Sequence, residues 1–199
     1  MIFLTDYFWI VPGVLKIQQA KKLNMSSQRK SANQLLDSGI ELFSSGDHEK
    51  GLKAFDQAIA IAHEIHDPEL EIICLATKGE SIWEVEYLNA ALESFTEALR
   101  VAEQNNLIDL KCDLLRSIGM IWHESGNPEE GISNLIEAIS LASKSEDENR
   151  QSALWGSVGV IYLETGNIDL ADQSFRRAHD LAEKLNDKHG CAGYLTNLG

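Results

Sequence analysis

The chain has 199 residues, 44% hydrophobic and 24% charged, which is enough apolar material for a buried core and too much for a disordered tail. Seventeen Lys and Arg against 31 Asp and Glu leave a net charge of -14. That excludes a generic nucleic-acid binder, which needs a basic footprint to replace counterions on phosphate. Cys74, Cys112 and Cys191 are odd in number and lack CxxC spacing, so they argue for a reducing compartment, the cytoplasm, over a disulfide framework.

Residues 1–30 differ from the rest. They carry five bases (Lys16, Lys21, Lys22, Arg29, Lys30) and one acid, Asp6, whereas the remaining residues hold 12 bases and 30 acids. Ile2 to Leu15 is largely apolar, but positive charge follows it instead of preceding it, and no small-residue cleavage site is evident, so it is not a secretory signal. As a helix it would reach roughly 21 Å, short of a hydrocarbon core of about 30 Å. Three readings stay open for this stretch. It is a tail that is floppy or docks locally and is not part of the fold. It is an interfacial anchor whose residues 2–22 touch a membrane, with Tyr7, Phe8 and Trp9 at the headgroups and Lys21 and Lys22 on anionic lipid. Or it precedes a true start at Met25.

From residue 31 the chain is periodic. Gly39, Gly79, Gly119, Gly159 and Gly199 lie forty residues apart. Ala58, Ala98, Ala138 and Ala178 keep the same step, as do Ala62, Ala102, Ala142 and Ala182. Phe55, Phe95, Leu135 and Phe175 form a large apolar row, and Gly51, Ala91, Gly131 and Ala171 a small one. Leu35, Leu75, Leu115, Trp155 and Leu195 complete the set, without one insertion. Such self-similarity marks stacked supersecondary units.

Within a unit the period is helical. Leu52, Phe55, Ile59 and Ala62 make one stripe, and Leu35, Gly39, Leu42 and Phe43 another. Gly46-Asp47 between them reads as a helix stop followed by an N-cap, a device repeated at Gly126-Asn127-Pro128 and Gly166-Asn167. Glu86-Tyr87-Leu88-Asn89 has no glycine, so that turn is built differently or runs nearly helical. Each unit is thus a hairpin of helices of roughly fifteen to eighteen residues. Small residues bring the two backbones close, and the Phe and Leu/Trp rows fill the wedge between hairpins. The expected organisation is a tail at 1–30, repeats at 31–66, 67–106, 107–146 and 147–186, and a partial repeat at 187–199. The fold class is all-α, an α-solenoid of about four and a half repeats.

These residues resemble the tetratricopeptide repeat family, whose signature is W-x2-L-G-x2-Y followed by A-x3-F and Pro. The fourth unit carries it best, with Trp155, Val158 in place of Leu, Gly159, Tyr162, Ala171 and Phe175. Leu198-Gly199 repeats the L-G pair, and the likeness runs over residues 31–199. The period of forty exceeds the family's usual period of about 34, as in its longer-repeat subgroup. The resemblance implies a right-handed superhelix whose first helices line a concave groove that binds a peptide or helix of another protein, without chemistry of its own.

By register, the inward faces carry Asn33, Leu36, Ile40 and Phe43 in the first unit, then Ile73, Ala76, Glu80, Trp83 and Glu84 in the second. Asp113, Arg116, Met120, His123 and Glu124 follow in the third, and Ala153, Gly156, Val160, Leu163 and Glu164 in the fourth. The groove candidates are Phe43, Glu80, Trp83, Arg116, Met120, His123 and Leu163, with hairpin packing an equal competitor for the aromatics. Trp122 and Trp155 read as core. The Lys and Asn clamp that family members use for acidic tails has no counterpart, so a basic or amphipathic segment suits the surface better.

No cofactor or metal is expected. His63, Glu64, His66 and Asp67 read as a polar helix end, and nothing nearby completes a ligand set. His123 beside Glu124, with Arg116 two turns earlier, has the residue types of an acid–base pair but no nucleophile or oxyanion donor, so no enzyme is expected. Phosphate loops are absent, since the glycines follow the repeat. The apolar end at Gly199 reads as a fragment of a longer protein. Two functions follow: an adaptor that binds a protein segment, or the N-terminal sensory array of a larger bacterial signalling protein whose output domain lies beyond residue 199.

Overall fold

A computed structural model describes residues 12–85, 87–187 and 190, with side chains from residue 24 onward. The expectations for residues 1–11 and 191–199 lie outside these, as do those for the side chains of Lys16, Lys21 and Lys22. Among the described residues there are eight helices and no strand: α1 (Pro12–Ser44), α2 (His48–Glu64), α3 (Pro68–Glu84), α4 (Leu88–Gln104), α5 (Ile108–Glu124), α6 (Pro128–Lys144), α7 (Glu148–Glu164) and α8 (Ile168–Lys184). From α2 on, every helix has 17 residues, as a strict period requires. The fold is of the all-α helical-repeat solenoid class. No helix among the described residues is long and apolar enough to cross a membrane.

Two compact units make up the chain, residues 1–70 and 71–199. In the first, α1 and α2 form a hairpin. The 33-residue α1 is described from Pro12 and continues past residue 30 to Ser44. Phe55 and Phe43 cover each other's glycines. A Cβ on Gly39 would lie 2.5 Å from the Phe55 ring, and one on Gly51 would lie 2.8 Å from the Phe43 ring. Phe43 is therefore buried inside this hairpin, at 6% exposure, and Leu36 is buried too, at 8%. Phe43 also stacks on His48 with centroids 4.5 Å apart. Phe43, expected in the groove, thus lies within this hairpin with its ring over Gly51. At the hairpin's end Asp67 accepts the Leu70 amide at 3.1 Å and ion-pairs Arg29 at 2.8 Å, a capping role and not a metal-binding one.

The second unit holds α3 to α8. The large apolar row again seats on the hairpin's own first-helix glycine, which corrects its placing in the wedge between hairpins. A Cβ on Gly79 would lie 2.9 Å from Phe95, and one on Gly159 would lie 2.6 Å from Phe175. In α5/α6 the row holds the smaller Leu135, and the two backbones close up until a Cβ on Gly119 would meet the Gly131 carbonyl at 2.8 Å. Leu135, Ile161, Val158, Leu115 and Cys112 seal the core between α5, α6 and α7, with Trp155 and Tyr162 packed on its edge. Trp122 and Trp155 are only half-buried. Trp155 carries the Arg177 guanidinium 4.5 Å above its ring, a cation–π contact that needs an accessible face.

The turns follow two rules. Gly46, Gly126 and Gly166 take φ of 87°, 82° and 79° after α1, α5 and α7, where a side chain would be strained. Without a glycine, the turn after α3 is still closed by the same bond, Tyr87 N–H to the Ile82 carbonyl at 3.3 Å, where the others measure 2.8–2.9 Å. His66, Asn106, Glu146 and Asn186 take φ of 54–57° at the ends of α2, α4, α6 and α8. Capping is uneven. Asp47 and Asp147 accept the amides of Lys50 and Arg150, whereas Asn127 and Asn167 make no such bond. Asn127 instead donates to the Ser125 carbonyl at 3.2 Å, which corrects its expected capping role.

Candidate ligand-binding face of α3, α5 and α7

Six candidates fall on α3, α5 and α7 of the second unit: Glu80 and Trp83 on α3, Arg116, Met120 and His123 on α5, and Leu163 on α7. A 40-residue step puts Trp83, His123 and Leu163 at one register position and Glu84, Glu124 and Glu164 at the next. The structure joins these two rows diagonally. The Trp83 indole Nε1–H donates to Glu124 Oε2 at 2.5 Å. His123 Nε2 meets Glu164 Oε2 at 2.6 Å. A carboxylate can only accept, so Nε2 carries the His123 proton. Both bonds span 41 residues and form equivalent rungs, one from α3 to α5 and one from α5 to α7.

The rungs fix the aromatic groups. Trp83 is held at its nitrogen by Glu124 and from the side by Phe95, whose ring meets it edge-on at 6.4 Å. The His123 side chain is only 11% exposed, and its Nδ1 is buried without a hydrogen-bond partner. His123 therefore pairs with Glu164 and not with the adjacent Glu124, and its other nitrogen is closed to solvent. That geometry fits an anchor better than an acid–base pair, which needs a proton path to a reacting group. Met120 is half-buried and packs on the α5/α6/α7 core, while Leu163 is 38% exposed. Arg116 is exposed and makes no ion pair among the described residues.

Below Trp83, a cavity of about 320 Å³ opens between Glu80, Trp83 and Glu84. Burial first, and the neighbouring Glu84 charge second, push the Glu80 carboxyl above the usual carboxylate range. Other parts of the unit balance their charges. Arg150 on α7 reaches Asp113 on α5 at 3.1 Å and its own cap Asp147 at 2.5 Å. Lys111 on α5 bridges Glu103 and Glu137 at 2.8 and 2.9 Å. The Arg150 bonds pin α5 to α7, the Lys111 bonds pin α5 to α4 and α6, and each set raises the pKa of its cation.

Sequence register brought Trp83 and His123 to this face but missed Glu124 and Glu164 as their acceptors. A donor at one position and Glu at the next, in consecutive units, was the available signal. No group of three or more His, Cys, Asp or Glu side chains positioned to hold a metal ion occurs among the described residues.

A tetratricopeptide repeat family model matches residues 152–185, which span most of α7 and all of α8. No curated protein matches the chain in sequence. Solved structures do match in fold. One is BtubC (BKLC) from P. vanneervenii, at TM-score 0.70 and 18% identity over 90% of this chain and 82% of that one. Another is a signal transduction ATPase with numerous domains and a tetratricopeptide repeat sensor from Pyrococcus horikoshii. It matches at TM-score 0.74 and 16% identity over 86% of this chain but 27% of that one. A third is a Rap protein complexed with competence and sporulation factor, at TM-score 0.58 and 14% identity over 91% of this chain and 56% of that one. At such identities the likeness establishes the tetratricopeptide-type helical-repeat fold and nothing finer.

Proposed function

We propose that this protein is an interaction module whose α3/α5/α7 face binds an amphipathic or basic segment of another protein. The observation that carries the reading is the pair of rungs, Trp83 to Glu124 and His123 to Glu164. They hold a row of large side chains in one orientation before any ligand arrives, so little side-chain entropy is lost on binding. Met120 and Leu163 extend the row with apolar surface, and Glu80 and Glu84 supply negative charge beside it. A structural neighbour that holds competence and sporulation factor supports the reading by analogy of fold.

A second reading, a sensory array within a larger signalling protein, is favoured by one finding. Most of this chain matches 27% of a signal transduction ATPase that has a tetratricopeptide repeat sensor. Both readings use the same face.

Trp83 is a poor test residue, because removing it also strips a packing partner from Phe95. Met120→Gln with Leu163→Lys removes apolar surface instead and sets a like charge against a basic segment. Peptides selected from a random display library against the parent chain should be rich in Lys or Arg and apolar residues. They should bind the double variant at least about tenfold more weakly, with the melting temperature changed by only a few degrees. Equal binding to parent and variant would remove this face from consideration.

A further inference from the structure

The cavity on α3 has a chemistry that the docking reading leaves unspecified. Glu80, Trp83 and Glu84 stand at i, i+3 and i+4, so one side of a single helical turn presents all three. The aromatic wall is immobilised by Glu124 and Phe95. Elsewhere in the unit exposed acids meet cations, as Glu97 does Arg100 and Asp172 does Arg176. Among the described residues no cation ion-pairs with Glu80 or Glu84, and the charge that acts on Glu80 is the like charge of Glu84.

An indole beside two bare carboxylates attracts a cation twice over, through the ring quadrupole and through direct charge. A metal ion is a poor match, since a hard cation takes six or more oxygens and no such cluster is present among the described residues. A side chain on an apolar stem matches better, because the stem lies on the ring while the charged head reaches the acids. The geometry points to the Glu80–Trp83–Glu84 cavity as a binding site for one cationic side chain, arginine or lysine, carried by the docked segment. This assignment rests on the reading of the α3/α5/α7 face as a docking surface. Burial first and the Glu84 charge second raise the Glu80 carboxyl, and a bound cation would offset the second of these.

The test uses the full chain with 15N at the indole nitrogens, the Trp83 resonance being identified by its loss in Trp83→Phe. N-acetyl-arginine methylamide is titrated against N-acetyl-citrulline methylamide, which has nearly the same shape without the charge, and N-acetyl-lysine methylamide forms a third arm. The Trp83 resonance should move saturably with arginine or lysine, and at least about fivefold less tightly with citrulline. The E80Q/E84Q variant should bind the cationic compounds at least about fivefold more weakly while melting no lower than the parent. No saturable movement, equal movement with citrulline, or unchanged affinity in E80Q/E84Q would overturn the cation site. The selected peptides separate this failure from failure of the docking face. If Met120→Gln/Leu163→Lys loses them and E80Q/E84Q keeps them, the face stands and the cation site falls. If neither variant loses them, both fall.

Discussion

Gly119 and Glu80 are two residues whose local cost can be stated from their surroundings. An alanine at Gly119 would gain about 1 kcal/mol of helix propensity. Its Cβ would lie 2.8 Å from the Gly131 carbonyl, a backbone atom that cannot rotate away. Overpacking of that kind costs about 1–3 kcal/mol, so the contact outweighs the propensity. Gly119→Ala should lower the urea midpoint, and an unchanged midpoint would mean that α5 and α6 shift apart freely. Glu80 is a different case: its carboxyl is raised in the folded chain by burial and by Glu84. A carboxyl with a raised folded pKa binds more protons folded than unfolded, so stability falls as pH rises through that range. Glu80→Gln should therefore raise the melting temperature slightly at pH 7 and have no such effect below the usual carboxylate range. A drop at pH 7 would mean that a cation of the chain itself already serves Glu80. Such a gain on mutation is the mark of a residue kept for binding at some expense of stability.

At the scale of the helix, the ends separate strong positions from weak ones that look alike in sequence. Asp147 accepts the Arg150 amide at 2.9 Å and its guanidinium at 2.5 Å, whereas Asn127 leaves the amides of α6 without a side-chain cap. Asp147→Ala should cost about 1 kcal/mol, and Asn127→Ala less than about 0.5 kcal/mol. The Arg150 amide first, and its guanidinium after it, hold the Asp147 carboxyl below its usual range. That contribution is present above the usual carboxylate range and fades as pH falls through the lowered value, so the two variants should converge in acid. Urea melts at pH 7 and pH 3 decide it, and an equal penalty for both residues would contradict the capping assignment. The helices themselves were legible, because Gly39, Gly79, Gly119 and Gly159 fix the period and Gly46, Gly126 and Gly166 the stops. Which N-cap residue bonds was not, since Asn127 and Asp147 both suit the position and only the backbone angles of the turn decide where the side chain points. The role of Phe43 was hidden for a related reason. Register placed it on the first-helix face, but Gly51 opposite it draws the ring inward.

In the molecule as a whole, periodicity in the chain transmits the fold but not the ligand. Register states which face a residue occupies, and so brought Trp83, Met120, His123 and Leu163 to one face. It does not state which neighbour reaches it, and so did not foresee Trp83 on Glu124 or His123 on Glu164. The same nearest-neighbour construction bears on how the second unit loses its structure. Leu135 is fully buried where α5, α6 and α7 share one cluster with Ile161, Val158 and Leu115. Repeat arrays gain most of their stability from such interfaces, because one hairpin cannot bury its apolar face alone. Leu135→Ala should cost about 2–5 kcal/mol. If the interface is the cooperative element, amides of α5, α6 and α7 will lose hydrogen-exchange protection together and by similar amounts. Loss confined to α6 would instead mean that each helix of the unit opens alone. The rungs would then count for more than the core in holding the binding face.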